Sequence, residues 1–321
     1  MTMIYTLAAF FLAIMAGTKV VECRPFVRHP YAYLAIRGGE VDTVVNSTTS
    51  TAITIPDTDS LVFAACQTGD GSESDPDGIP TRFLNMQKGD REKAKAAYEH
   101  TVQWREEHEV NDILKRPHPK FDLCKKIFPV YIPGKDQQGH IVVVQRVGLI
   151  DIEYGDENNV TGDDLLMHYI YMVEYCWNIL DPAPGAVMTT VMDLKGIRFK
   201  TISDGHIRGF LRKFVGAMSD NYPNRSHKTL VINAPAWINT AYKLVKPLLR
   251  PSTREKITIL NGGKAQDQAL IDILGADHVP RELLNDPSVI PSSGDDESSG
   301  ETGHVLSEIE KEMRELVSTA V

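Results

Sequence analysis

The sequence contains few cysteines, and they are placed far apart. Its 321 residues include four of them, Cys23, Cys66, Cys124 and Cys176, with no Cys-x-x-Cys pair. That spacing disfavours a structural zinc site and gives little support to a disulfide framework. We interpret the cysteines as buried or incidental free thiols, and we predict no metal and no cofactor.

The chain also lacks an excess of positive charge. Its formal net charge is −9, whereas a nucleic-acid-binding surface is basic because it must neutralise phosphates. We therefore expect no nucleic-acid partner, and any anion-binding site must be local. With 42% apolar and 24% charged residues, the composition is that of a globular protein with a large core.

The short motifs of several enzyme classes are missing. There is no Gly-x-Ser-x-Gly, no His-Glu-x-x-His and no complete phosphate-binding loop, since Gly263-Lys264 is followed by alanine. Dispersed catalytic residues would escape such a search. The absences nevertheless favour a binding protein over an enzyme.

The apolar N-terminal segment is shorter than the roughly 20 residues that span a membrane. Residues 4–16 have the length of a signal-peptide core, but no Lys or Arg precedes them. Three interpretations of residues 1–22 stay open: a cleaved signal, a short membrane anchor, or a misassigned start of a cytosolic protein.

Composition divides the remaining chain into four parts. Residues 23–80 are rich in Thr, Ser, Asp and Gly and predict a mostly disordered linker. Residues 81–120 predict a short helical lead-in, and residues 121–284 predict the main domain. Residues 285–321 predict an acidic linker and an isolated charged helix at 304–317, which is either solvated or available to a protein partner.

Strands and helices alternate through residues 130–274, which predicts an α/β sheet covered by helices. Within residues 128–146, two apolar runs flank a turn-forming segment that contains Gly134, Asp136 and Gly139. This pattern predicts a β-hairpin.

Several residues have the spacing of helix caps. Asp90 precedes a helical stripe in the lead-in, and Thr161 and Asp164 have the spacing of a capping box. Gly275 follows a short helix at residues 265–274 and predicts its C-cap.

Residues 221–261 form the most strongly patterned stretch of the chain. An apolar strand at 228–233 precedes an amphipathic helix, for which Asn233 is the predicted N-cap, and a second strand follows at 256–260. Pro247 lies inside the helical pattern and predicts a kink or an early end.

The predicted helix has two distinct faces. Its apolar stripe consists of Trp237, Ile238, Ala241, Leu244, Val245 and Leu248. A different face carries the basic residues Lys243, Lys246 and Arg250. A bent, partly basic helix between two core strands indicates a mobile cover.

The order of these elements resembles the signature of the CRAL-TRIO lipid-binding domain. The string YPNR…KTLVINAPAWINTAYKLVKPLLRPSTREKITIL carries the resemblance, and RFLNMQKGDREKAKAAYEHTVQWREEH is similar to the family's helical lead-in. The ordered match runs from Arg82 to Leu284. It implies a mixed β-sheet floor covered by helices, with residues 237–249 as a mobile gate helix over a hydrophobic lipid cavity.

The resemblance also implies which side chains line that cavity. They come from the apolar helix faces at 165–177 and 207–218 and from one strand: Leu166, Tyr169, Ile170, Val173, Met192, Phe210, Phe214 and Met218. The residues alone are equally consistent with an ordinary packed core, so both interpretations stay open here.

A headgroup site is implied by the same comparison. Family members that bind phosphoinositides use a Glu within Tyr-Pro-Glu-Arg together with a Thr and a Lys after the gate. Thr253 and Lys256 stand at the matching positions, but Asn224 replaces the Glu. An amide forms hydrogen bonds without contributing charge, so acceptance of phosphatidylinositol is an open question. Thr253 as a turn residue and Lys256 as a strand-edge lysine are the alternatives.

These features predict a monomeric, non-enzymatic protein that takes up and exchanges, or presents, a phospholipid or another hydrophobic ligand. We expect it in the cytoplasm, peripheral to membranes, with the basic gate face contributing about 1 kcal/mol per charge near an anionic surface. The alternative is a lipid-sensing adaptor that binds a protein partner through its C-terminal tail. An α/β hydrolase is the least favoured hypothesis.

Overall fold

The computed structural model describes residues 78–198, 205–245, 251–290 and 307–319. The predictions for residues 1–22, for the linker as far as residue 77, for Pro247 and for the acidic stretch 291–306 lie outside these ranges. Within the described ranges, no helix is both long and apolar enough to cross a membrane.

A five-stranded sheet forms the centre of the fold. Its strands are β1 (Val130–Lys135), β2 (Ile141–Gln145), β3 (Met188–Asp193), β4 (Ser226–Ile232) and β5 (Ile257–Ile259), arranged in that order. Strands β1 and β2 are antiparallel and form the predicted hairpin, whereas β2 to β5 run parallel. The predicted mixed sheet of an α/β fold is confirmed.

Helices precede the sheet and cover it. They are α1 (Thr81–Met86), α2 (Arg91–Glu107), α3 (Phe121–Ile127), α4 (Ile152–Glu157), α5 (Gly162–Tyr175), α6 (Gly205–Asn221), α7 (Ala236–Val245), α8 (Pro251–Lys256), α9 (Lys264–Leu274) and α10 (Glu308–Thr319). Helix α5 continues into a π-helical turn at Cys176–Leu180. Short 3₁₀ turns occupy Val110–Lys115, Val147–Leu149, Arg281–Leu283 and Pro287–Val289.

Three of the predicted caps are present. The Asp90 carboxylate accepts the Lys93 N–H at the start of α2, and Thr161 and Asp164 form a reciprocal capping box on α5. Gly275 is the C-cap of α9 with φ of 90°, a left-handed conformation that glycine adopts without steric cost.

Both faces of the sheet are buried, as expected for parallel strands covered by helices. On one face, Val143 and Val231 belong to a set of buried residues that also includes the inner sides of α5 and α6. We refer to this set as the main apolar cluster. On the opposite face, Val144 and Leu230 pack with residues of α9.

The predicted N-cap at Asn233 is wrong. Helix α7 begins at Ala236, and Asn233 has a left-handed backbone with φ of 51°, which asparagine tolerates better than most residues. Its Nδ2 donates to Asp193 Oδ1 at 2.8 Å, and its backbone N–H donates to Gln266 Oε1 at 2.7 Å. Asn233 therefore connects the end of β4 to β3 and α9.

The strand that follows α7 begins one residue later than predicted. Lys256 is the last residue of helix α8, and β5 starts at Ile257. Pro251 opens that helix, where its fixed φ and missing N–H are well accommodated.

The prediction of an isolated C-terminal helix is also wrong. Met313 of α10 is fully buried in the main apolar cluster, and Ile309, Leu316 and Val317 pack against that cluster. These four residues have the i, i+4, i+7, i+8 spacing of an amphipathic helix. The stripe was overlooked because charged residues dominate the segment.

Helix α10 and the residue before it also cover β1, which is an edge strand of the sheet. Glu310 Oε1 accepts the Ile132 N–H at 3.0 Å, and Ser307 Oγ donates to the Ile132 carbonyl at 2.6 Å. Both polar backbone groups of one β1 residue are thus satisfied by side chains of the C-terminal segment. An uncovered edge strand would be open to pairing with another chain.

Candidate functional site

The helix predicted to be a gate lies against the main apolar cluster. Ile238 of α7 is buried within that cluster, and Trp237 and Tyr242 are partly buried against it. Lys243, on the basic face, is exposed. The helix thus has the amphipathic arrangement that its sequence predicts, as far as its described side chains extend.

Part of the predicted gate is not described. Ala241, Leu244 and Val245 belong to α7, but their side chains lie outside the described part of the structure, as do Lys246, Leu248 and Arg250 entirely. Of the residues predicted for the gate and the basic face, the side chains of Trp237, Ile238 and Lys243 alone are described.

The eight residues predicted to line a cavity come together in space. Seven of them are buried members of the main apolar cluster, namely Leu166, Tyr169, Ile170, Val173, Met192, Phe210 and Phe214, and Met218 packs against it. The Tyr169 and Phe214 rings lie edge to face with centroids 4.5 Å apart. The eight residues form one continuous apolar region between the sheet, α5, α6 and α7.

One polar pair lies within this apolar region. Gln145 Nε2 donates to the Tyr169 hydroxyl at 2.8 Å, and both side chains are buried. Burial raises the pKa of Tyr169, so its hydroxyl stays neutral. The sequence analysis missed Gln145, although strand alternation places it on the same face as Val143.

A pocket of about 500 Å³ opens beside the cluster, between α4, the start of α5, and α6. Leu165 and Phe210 form part of its apolar wall and also belong to the main apolar cluster. Its polar lining includes Asp163 and Lys213, which form an ion pair at 2.6 Å.

The predicted headgroup residues are at the end of the sheet where β4 begins. Asn224 has φ of 57° and its Nδ2 donates to the Arg82 carbonyl at 2.9 Å, so it holds the lead-in. Lys256 Nζ donates to the Ser226 carbonyl at 2.7 Å, and burial lowers the pKa of this lysine. Thr253 lies in α8, but its side chain is outside the described part.

A buried carboxylate joins the lead-in to the main domain. Glu174 of α5 accepts two hydrogen bonds from the Arg105 guanidinium, at 2.7 and 3.0 Å, and one from the Tyr222 hydroxyl at 2.6 Å. Asn178 Nδ2 donates to it at 2.9 Å. Burial, with the nearby Glu174 charge, raises the pKa of Tyr222.

This network was not predicted from the sequence. The one feature that could have indicated it is an acidic residue, Glu174, within the otherwise apolar run YMVEYCW. A charge at such a position is rarely buried unless it is paired. The partner, however, lies 69 residues away in the chain.

Comparisons with known proteins agree with this arrangement. A family model described as CRAL/TRIO domain matches residues 125–283. The SEC14 cytosolic factor of Candida glabrata is 30% identical over 228 residues, which cover 68% of this chain and 73% of that protein. The chain belongs to the CRAL/TRIO family. The matched region contains the whole sheet and helices α4 to α9, and leaves α1, α2 and α10 outside.

Other members of the CRAL/TRIO family show similar levels of identity. The Sec14 cytosolic factor of Schizosaccharomyces pombe is 29% identical over 215 residues, covering 64% of this chain and 73% of that protein. The phosphatidylinositol/phosphatidylcholine transfer protein SFH12 of Arabidopsis thaliana is 28% identical over 211 residues, covering 63% and 38% respectively. Among solved structures, the crystal structure of Sfh5 has a TM-score of 0.48 at 19% identity, covering 59% of this chain and 66% of that one.

Proposed function

We propose that this protein binds a phospholipid between the sheet and helices α5, α6 and α7, and exchanges it between membranes. The observation that carries the proposal is the amphipathic helix α7 lying on one continuous apolar region that contains all eight predicted lining residues. Relatives named as phosphatidylinositol/phosphatidylcholine transfer proteins support the choice of ligand class.

The energetics of transfer explain why such a region needs a cover. Burying each methylene of an acyl chain is worth about 0.8 kcal/mol, so a free lipid does not readily cross water. A bilayer provides nearly the same burial, and the protein needs only to match it. Opening of α7 at a membrane surface would then let the lipid move between the two environments without exposing its chains.

We further propose a cytosolic, peripheral location and no catalytic role. The exposed Lys243 on α7 supports contact with an anionic surface. The division into lead-in, lipid-binding domain and C-terminal segment remains our proposed domain organisation. The adaptor alternative required a C-terminal helix that is free to bind a partner. The apolar face of α10 instead packs on the domain, which disfavours that alternative.

Lipid extraction tests the proposal and also separates cavity lining from ordinary core. The full chain is incubated with mixed phosphatidylcholine and phosphatidylinositol vesicles, re-isolated, and its organic extract analysed by mass spectrometry. We expect about one phospholipid per chain, and we expect Val173→Phe to reduce it with under about 1 kcal/mol of destabilisation, because a lining position has space. The matched control is Val191→Phe on the opposite face, which we expect to lower stability by about 1–3 kcal/mol through overpacking.

The absence of any bound or exchangeable phospholipid in the parent protein would contradict the proposed function. If lipid is bound but Val173→Phe destabilises the protein as much as Val191→Phe without reducing the lipid, then Val173 is a core residue and the lining assignment is wrong.

A second prediction concerns the headgroup. Lys256→Ala is expected to slow transfer of phosphatidylinositol about tenfold while changing phosphatidylcholine transfer less than about twofold, because the ammonium attracts a headgroup of net negative charge more strongly than a zwitterionic one. Fluorescent lipid transfer between vesicles measures both rates. Lys243→Ala is the control, since a membrane-facing lysine should affect both lipids alike. An equal loss of both lipids in Lys256→Ala would remove its headgroup role.

A further inference from the structure

A group of three potential metal ligands lies at the end of the sheet where the parallel strands begin. Asp136 and His140 come from the turn between β1 and β2, and His227 is the second residue of β4. One ligand atom from each lies within 4.8 Å of the others. The two imidazole rings are stacked, with centroids 3.9 Å apart and planes inclined by 28°. Strand β3 runs between these elements in the sheet.

Surrounding hydrogen bonds fix the carboxylate of this group. Asp136 Oδ1 accepts the backbone N–H groups of Gln138 and His140, both at 2.9 Å. Its Oδ2 accepts the Thr189 hydroxyl of β3 at 2.7 Å and lies 3.2 Å from His140 Nδ1. Metal-binding carboxylates and imidazoles are commonly oriented by such outer partners.

The second histidine has an unused nitrogen. His227 Nε2 is buried and has no hydrogen-bond partner among the described residues. A buried polar atom without a partner costs free energy, and a bound ion or water at that position would remove the cost. The His140 and His227 side chains are only half-buried as a whole, so other parts of both rings reach solvent.

We propose that Asp136, His140 and His227 bind a divalent transition-metal ion of the zinc class. Two imidazoles and one carboxylate suit such an ion, whereas calcium and magnesium prefer ligand sets made of oxygen atoms. Bonds of about 2.0–2.1 Å place tetrahedral ligand atoms about 3.3 Å apart. The three side chains therefore move closer together on binding, and one imidazole turns out of the stack so that a nitrogen of each ring faces the ion.

Such an ion would act as a structural cross-link. It would join the β1–β2 turn to the start of β4 across β3, close to the peptide carbonyl of Ser226 that accepts from Lys256. The site is separate from the main apolar cluster, so its presence does not depend on lipid binding. Cysteine spacing did not indicate it because its ligands are two histidines and an aspartate, and His227 lies far in sequence from the other two.

Zinc titration of the full, untagged chain after chelator treatment tests the proposal. By isothermal titration calorimetry we expect one Zn²⁺ per chain, with affinity lowered more than about tenfold in His140→Ala and in His227→Ala. Thr189→Val, which removes only the outer hydrogen bond to Asp136, should weaken binding about tenfold. The matched control is the exposed His100→Ala, which should bind zinc like the parent. Co²⁺ substitution adds a visible absorption band that His227→Gln, a less disruptive variant, should abolish.

Two results would overturn the site. One is the lack of stoichiometric zinc binding by the folded parent chain. The other is zinc affinity or Co²⁺ absorption that is unchanged in a folded His227→Ala or His227→Gln variant, which would place the ion elsewhere.

Discussion

Replacing Glu310 with alanine is expected to lower the free energy of unfolding by about 3–5 kcal/mol, a large share of the stability of an ordinary domain. Glu310 and Lys125 form an ion pair at 2.5 Å, with side chains 0% and 1% exposed. Removal of the carboxylate leaves the Lys125 ammonium buried, with the Val130 carbonyl at 2.9 Å as its one remaining hydrogen-bond acceptor among the described residues. It also deprives the Ile132 N–H of its acceptor on the edge strand.

Urea denaturation of the full chain measures this loss. The matched control is Glu308→Ala, which removes an exposed ion pair with Lys311 on the same helix and should cost less than about 1 kcal/mol. The loss of stability in Glu310→Gln should lie between those of Glu310→Ala and Glu308→Ala, because the amide oxygen still accepts the Ile132 N–H. If Glu310→Ala and Glu308→Ala have equal stabilities, α10 is not docked on β1 in solution.

A double substitution separates the effect of the charge from that of helix docking. Lys125→Met combined with Glu310→Leu removes both charges and keeps apolar volume, and buried pairs replaced in this way are often neutral or more stable. We expect the double variant to recover most of the loss seen in Glu310→Ala. Failure to recover would indicate that the hydrogen bond to Ile132, rather than the unpaired Lys125 charge, dominates.

The α/β alternation and the hairpin were predictable because each depends on local chemistry. The capping box of Thr161 and Asp164 involves residues three apart, and the β1–β2 turn is specified by nearby glycines and Asp136. The same locality explains the failure at Asn233. Asparagine favours both helix caps and left-handed turns, and the choice was decided by Asp193 and Gln266, which are distant in sequence.

The candidate site was predictable only as a set of apolar faces. Periodicity and the family resemblance named residues such as Tyr169 and Phe214, which do come together. The polar features were missed because their partners lie on other elements: Gln145 with Tyr169, and Glu174 with Arg105. A hydrophobic stripe in the sequence identifies a buried face. Prediction of a hydrogen bond from that face also requires knowing which element packs against it.

The Glu174 network predicts that a single substitution will loosen the lead-in from the main domain. Glu174→Ala leaves the Arg105 guanidinium and the Tyr222 hydroxyl without their shared acceptor. The Arg105 side chain is 25% exposed, so water compensates in part, and we expect a loss of about 2–4 kcal/mol rather than the larger value at Glu310. Hydrogen exchange should become faster in α2, which is also joined to α6 by the hydrogen bond from Thr101 Oγ1 to the Asp220 carbonyl.

Exchange in α9 provides the internal reference, because that helix packs on the face of the sheet opposite α5, which carries Glu174. Glu107→Ala, which removes an exposed hydrogen bond from Gln103, is the matched control and should change stability by less than about 0.5 kcal/mol. Since Asn224 also donates to the Arg82 carbonyl, the lead-in contacts the region before β4 at Arg82 and at Thr101. Equal acceleration of exchange in α2 and α9 would show that Glu174 stabilises the whole domain rather than this junction.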